Sequence, residues 1–155
     1  MVVRAVAALL AVLAALAMGA RPSLSQPAPE YSIAVLPTVA QTMFGLEVED
    51  LGRQIARLMA REPGIRIIDA ALSNRYTLDD SAVVAGTALN ARFVLTTFVT
   101  GMLRTDVLLR DGQTGAIVWG RAFYSYIDNV GALPAEVWVA ATRAIRDIAQ
   151  PESAR

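Results

Sequence analysis

Carboxylates are the first residues here that could do chemistry: Glu47, Glu49 and Asp50 crowd into one short stretch, and Asp79 and Asp80 are adjacent. Such clusters can ligate Mg²⁺ in nucleotide-handling sites. That chemistry also needs a glycine-rich phosphate loop running into a helix. The glycine-rich stretch Asp111-Gly112-Gln113-Thr114-Gly115 instead joins two strand-like segments, so it is expected to be a hairpin turn. Both acidic groups stand where helices are expected to begin, a position the backbone dipole favours without any metal.

The chain has 155 residues with no Cys and no His. A cysteine nucleophile, a thiolate or imidazole metal site, a Ser-His-Asp relay and disulfides are therefore all excluded. No cofactor is implied. All 14 basic residues are Arg, balanced by 14 acidic ones and without a run of Arg, so nothing points to nucleic acid. Trp119, Phe123, Tyr124 and Tyr126 form an aromatic cluster suited either to a core or to a protein interface. Trp119 and Phe123 fall on one face of a strand and are expected in the core, whereas Tyr124 and Tyr126 fall on the other.

The amino-terminal residues set the compartment. Met1 to Arg4 is short and basic, and Ala5 to Ala20 is an uncharged run of Ala, Leu and Val. A secretory h-region takes about 7–15 apolar residues and a membrane span ~20. Residues 1–25 are accordingly expected to be a signal peptide cleaved after Ser25, with residues 26–30 as a Pro-rich linker; the alternative is an inner-membrane anchor formed by residues 5–20. No Cys follows the run, which excludes a lipid anchor at that point. Loss of residues 1–25 leaves 12 basic against 14 acidic groups, a formal charge of −2. The expected location is periplasmic, with membrane contact only through an uncleaved leader.

Periodicity then gives the elements that must position any site. Ser32 to Pro37 reads as a buried strand, and Leu51, Ile55, Leu58 and Met59 as the inner face of a helix ended by Glu62-Pro63-Gly64. Ile65 to Asp69 is a second strand. A short helix or turn over Ala70 to Tyr76 precedes Thr77, which is positioned to cap a helix over Leu78 to Leu89. Three strands follow, over Arg92–Val99, Leu103–Arg110 and Ala116–Tyr126. Pro134 opens a last helix whose buried stripe is Leu133, Val137, Ala141, Ala144 and Ile148, and residues 151–155 are a frayed tail. The expected fold is a single α/β domain over residues 31–150, a mixed sheet of about five strands in the order β-α-β-α-β-β-β-α, covered by helices.

Several of these segments resemble one family when taken in order. Ile33-Ala34-Val35-Leu36-Pro37, Phe44-Gly45-Leu46 with Glu49-Asp50-Leu51, Pro63-Gly64-Ile65-Arg66-Ile67-Ile68, Ala88-Leu89-Asn90-Ala91-Arg92-Phe93-Val94-Leu95 and Asp111-Gly112-Gln113-Thr114-Gly115-Ala116-Ile117-Val118-Trp119 resemble the TolB amino-terminal-like domain of bacterial envelope and signalling proteins. The resemblance covers about residues 31–127 and implies a TolB-like α/β fold, no catalytic residues and a protein partner in the envelope. Relatives of this module occur beside class III adenylate cyclase and winged-helix domains, so a cyclase label could reach such a chain by association. Nothing in it resembles the cyclase's metal-binding aspartate strands. The loop after Pro37 lacks the family's Asn-x-Ser and Gly-Asp pattern, and the turn at Gly101 shortens its usual hairpin.

The functional expectation is a non-enzymatic exported module that binds an envelope protein in assembly or signalling. The alternative is a periplasmic small-molecule sensor whose ligand sits at the carboxyl ends of the first strands, near Thr38, Gln41, Thr42, Asp69 and Ser73. Tyr124 and Tyr126 complete the candidate partner surface.

Overall fold

The computed structural model describes residues 31–41, 51–77, 80–101, 104–125 and 131–149. The leader, the linker, the tail, the acidic group Glu47–Asp50, Asp79, Thr42 and Tyr126 lie outside the described residues.

The chain runs β1 (Tyr31–Val35), β2 (Val39–Gln41), α1 (Leu51–Met59), β3 (Ile65–Ile67), α2 (Ala70–Ser73), α3 (Ala82–Leu89), β4 (Phe93–Thr100), β5 (Arg104–Asp111), β6 (Ile117–Tyr124) and α4 (Leu133–Ala149). The sheet order is β3-β1-β4-β5-β6, with β2 also paired to β4. β1 pairs in parallel with β3 and with β4, and β4-β5-β6 is an antiparallel meander. The mixed α/β domain expected from periodicity is the fold observed, with one short strand added.

That strand comes from Pro37. The strand expected over Ser32–Pro37 stops at Val35, because proline has no N–H to donate to a ladder. After Leu36, whose N–H still reaches the Leu95 carbonyl at 3.0 Å, the chain steps away and resumes as β2 farther along β4, pairing Val39 with Phe98. β1 and β2 thus form one interrupted strand beside β4. The interruption opens space at the end of the sheet.

Both faces of the sheet are packed, but unequally. On one face α1 and α4 bury Leu51, Ile55, Met59, Leu133, Val137, Ala141 and Ile145 against Ile33, Phe93, Leu95, Val107, Leu109 and Phe123. Each fully buried aliphatic side chain of this kind contributes about 1.5–3 kcal/mol. On the other face Ala82 and Ala85 of α3 pack with Ala34, Leu36, Ile68 and Val94. On that second face α3 reaches β4 and part of β5 and leaves the remainder open: Leu108 there is half-buried and Tyr124 is 71% exposed. Phe123 is core as expected, while Trp119 is only half-buried, packed against the rim of that cluster.

The helix expected over Leu78–Leu89 begins later, at Ala82. Its cap is Ser81, whose Oγ accepts from the Val84 N–H at 3.1 Å, and Thr77 has a different task. The Thr77 N–H and Oγ1 both donate to Asp80 Oδ2, at 2.8 and 3.2 Å, closing a separate turn before the helix. Asp80 therefore precedes the helix and serves that turn.

Candidate functional site

At the carboxyl ends of β1 and β3, a cleft of about 400 Å³ lies between α1 and α2, lined among others by Pro37, Thr38, Gly52, Arg53 and Asn74. The break at Pro37 supplies its floor. The Thr38 Oγ1 accepts from the Gly52 N–H at 2.9 Å and lies 2.7 Å from the Thr97 Oγ1. One hydroxyl thus satisfies an amide in the first turn of α1 and ties β4 to the loop after β1. A Cβ at Gly52 would stand 3.0 Å from the Leu36 carbonyl oxygen and 3.2 Å from Thr38 Oγ1, so glycine keeps this approach close.

The residues expected around this site separate into distinct roles. Thr38 lines the cleft. Gln41 is exposed on β2 and is tied in through its carbonyl, which accepts from the Gly101 N–H at 3.3 Å; it does not line the cleft. Asp69 caps α2, its Oδ1 accepting from the Ala71 N–H at 2.8 Å. Ser73 is fully buried, and its Oγ has no hydrogen-bond partner among the described residues. Tyr124 is on β6, at the opposite edge of the sheet from β3, so it shares no site with the others. Thr42 and Tyr126 fall outside the described residues.

Sequence reasoning missed Gly52, Arg53 and Asn74. Their signal was positional: Arg53 and Gly52 fall in the first turn of a helix that follows a strand end, and Asn74 closes the short helix after the next strand. The Asn74 amide offers a polar group at the cleft wall. Asp111 and Arg104 have displaced acidity, and neither lines this cleft. Among the described residues that line the cleft, no nucleophile stands beside a base.

A second cleft of about 500 Å³ runs between the start of α3 and the open part of the sheet, lined among others by Asp80, Ser81, Phe98, Asp106, Leu108 and Arg110. Its charges are largely engaged. Arg104 donates through Nε and Nη2 to Asp106 Oδ1 at 3.1 and 2.8 Å, and Arg110 donates to the Gly115 carbonyl at 3.3 Å. The apolar side chains that line it are Ala82, Val83, Phe98 and Leu108. Among the described residues no helix is long and apolar enough to cross a membrane.

No protein-family model matches the chain. No curated protein matches it either. Solved structures share its fold. The LpoB C-terminal domain from Salmonella enterica superposes with a TM-score of 0.55 at 15% identity, covering 63% of this chain and 84% of that one. Lipoprotein GNA1162 from Neisseria meningitidis superposes with a TM-score of 0.54 at 16% identity, covering 79% of this chain and 99% of that one. At these identities the likeness is one of fold.

Proposed function

We propose that this chain is a non-enzymatic, exported module of the cell envelope that binds another protein, in the manner of a TolB-like assembly or signalling domain. The observation that carries the reading is the uncovered part of the second sheet face, where Leu108 and Phe98 border a cleft and Tyr124 stands 71% exposed. Exposed apolar surface rimmed by polar groups is characteristic of protein interfaces. The basic-then-apolar leader supports export to the periplasm, and the five ordered motifs support the TolB-like family. The shared fold with lipoprotein GNA1162 supports an envelope setting, although this chain, lacking Cys, has no cysteine to carry a lipid.

Crosslinking in the envelope fraction tests this. The tagged chain should recover one protein reproducibly, Leu108→Asp should lose it, and Leu72→Asp on the far helix, where Leu72 is 43% exposed, should retain it. Recovery of no specific protein, or equal recovery by both variants, would refute the reading.

The cleft beside Thr38 favours a second reading, a periplasmic small-molecule sensor whose ligand sits between Thr38 and Asn74. A ligand at ~100 times its Kd adds about 2.7 kcal/mol of stability. Thermal-shift screening against a small-molecule library would show such a ligand, and Asn74→Ala would abolish the shift. A flat screen leaves the protein-binding reading ahead.

A further inference from the structure

β6 leaves one side of the sheet open. It pairs with β5 on one flank, and among the described residues no strand pairs with its other flank. Natural sheets blunt such edges with Pro, Lys, bulges or short strands. The opposite edge follows that rule, since β3 has three residues and carries the exposed Arg66. β6 has eight residues with no Pro, and its one charged side chain is the exposed Arg121. Its one irregularity lies opposite Leu109 and Arg110, which leaves Trp119 to Tyr124 in regular register.

Two features of β6 are costly in a free edge. Gly120 sits in mid-strand, where glycine weakens pairing and leaves backbone bare. Tyr124 holds a large ring 71% exposed. Both point to the face of Leu108 and Arg104, the residues opposite them on β5, and they are placed symmetrically about Ala122. Antiparallel pairing of two copies about a two-fold axis normal to the sheet at Ala122 sets Tyr124 of each copy directly opposite Gly120 of the other. The floor beneath that ring is apolar, because Leu108 Cδ2 lies 2.9 Å from where a Cβ on Gly120 would be. Aromatic side chains opposite strand glycines restore the packing that glycine lacks.

Charge selects the same register. With the axis at Ala122, Arg121 faces Phe123 of the second copy, and each Arg121 already lies over its own Phe123 ring at 5.2 Å. Moving the axis one residue, to Arg121, would set two guanidinium groups face to face, which is destabilising in a sheet. Moving it to Gly120 carries Tyr124 past the end of the strand. Open-ended pairing of β6 with β3 would match eight residues to three and meet Arg66. A closed pair is the arrangement that satisfies the edge.

We propose that β6 is a self-association edge: two copies of this chain pair antiparallel through Trp119–Tyr124 about Ala122, joining their sheets into one. The inference is independent of the heterologous partner proposed above, because self-association is read on the purified chain alone.

The chain contains no Cys, so single cysteines report the register directly. Residues directly opposite in an antiparallel pair have Cα atoms about 4.5–5.5 Å apart, within the range a disulfide spans. The full chain, purified as its host leaves it, should sediment as a concentration-dependent dimer between about 1 and 100 μM, the range of a modest edge-to-edge contact. Under identical mild oxidation Ala122→Cys should form a covalent dimer roughly tenfold faster than Tyr124→Cys, despite the greater exposure of position 124. A purely monomeric wild-type chain across that range would overturn the proposal, as it would if β6 served a foreign strand. Crosslinking of Tyr124→Cys as fast as Ala122→Cys would also overturn it, since random collision favours the more exposed thiol. Sedimentation of the wild type decides the matter even if a variant fails to fold.

Discussion

Asp111 illustrates how a single carboxylate in this chain serves shape. It ends β5 and accepts from the Thr114 N–H and the Gln113 N–H, each at 2.9 Å, and from the Thr114 Oγ1 at 3.1 Å, with the Arg92 guanidinium 3.6 Å away. The Thr114 N–H is the largest of the influences that hold its pKa below the usual carboxylate range; partial burial opposes them, and the remaining hydrogen bonds and Arg92 add to the lowering. A carboxylate with a depressed folded-state pKa stabilises the fold at pH values above its unfolded pKa, and that stability is lost as pH falls through the folded pKa. Asp111→Asn should therefore melt below the wild type at pH 7, and the gap should narrow below about pH 4, where the unfolded carboxylate takes up its proton. Paired thermal melts from neutral to acid pH check this; a gap that stays constant to low pH would show that the charge is irrelevant to the turn. Thr38 and Asp69 follow the same logic, each spending its side chain on a backbone amide, while the buried Ser73 Oγ has no partner among the described residues.

Element types follow closely from period and turn residues, and element boundaries depart where side chains compete. The alternation Thr105, Val107, Leu109 against Arg104, Asp106, Leu108 correctly separates buried from wetter positions on β5. Thr77 and Ser81 are both competent caps, and only the Asp80 carboxylate turning back to Thr77 decides between them, which sequence spacing alone does not reveal. The glycines of the hairpin are a second case. Gly115, at φ 72°, is a turn glycine readable from its neighbours, whereas Gly112 is required by a contact distant in sequence. A Cβ on Gly86 of α3 would lie 2.3 Å from the Gly112 carbonyl oxygen and 2.4 Å from its Cα, and one on Gly112 would lie 2.2 Å from the Ala91 carbonyl oxygen. Helix and hairpin meet backbone to backbone. Gly86→Ala should raise helix propensity by about 1 kcal/mol, yet backbone cannot yield as a side chain can, and overpacking of a tight site costs ~1–3 kcal/mol or more. The expected net effect is a lower melting temperature, with Gly131→Ala, where a Cβ meets nothing within 4 Å, nearly unchanged as the control. An unchanged or raised melting temperature for Gly86→Ala would mean that α3 can back away from the hairpin freely.

At the scale of the molecule, assembly depends on contacts between segments far apart in the chain, and these are the least legible in sequence. The candidate cleft is such a case: its strand ends were foreseeable, but the break at Pro37 that opens it and the residues Arg53 and Asn74 that line it emerge only when α1 and α2 are placed. The helix layer is another. Glu62, just past α1, accepts from Trp138 Nε1 at 3.1 Å through Oε1 and from Arg146 Nη2 at 2.5 Å through Oε2, latching α4 to the end of the neighbouring helix, a segment more than seventy residues earlier. The Glu62 side chain is 15% exposed and Arg146 58%, so solvent screens the ion pair toward the ~0.2–1 kcal/mol of exposed pairs. The hydrogen bond from the half-buried Trp138 to a charged acceptor is worth more, about 1.5–3 kcal/mol. Arg143 and Asp147, at 4.0 Å and both mostly exposed, add little to this latch. Glu62→Ala should thus destabilise the domain by roughly 1–3 kcal/mol in a denaturant titration. Hydrogen exchange should accelerate along α4 while β4 and β5 keep their protection, because local opening draws on the contacts that hold that element. Glu62→Gln, which preserves an acceptor for Trp138, should recover most of the loss. Equal destabilisation by the two variants would assign the latch to charge, and uniform acceleration across the sheet would show that α4 opens only with the whole core.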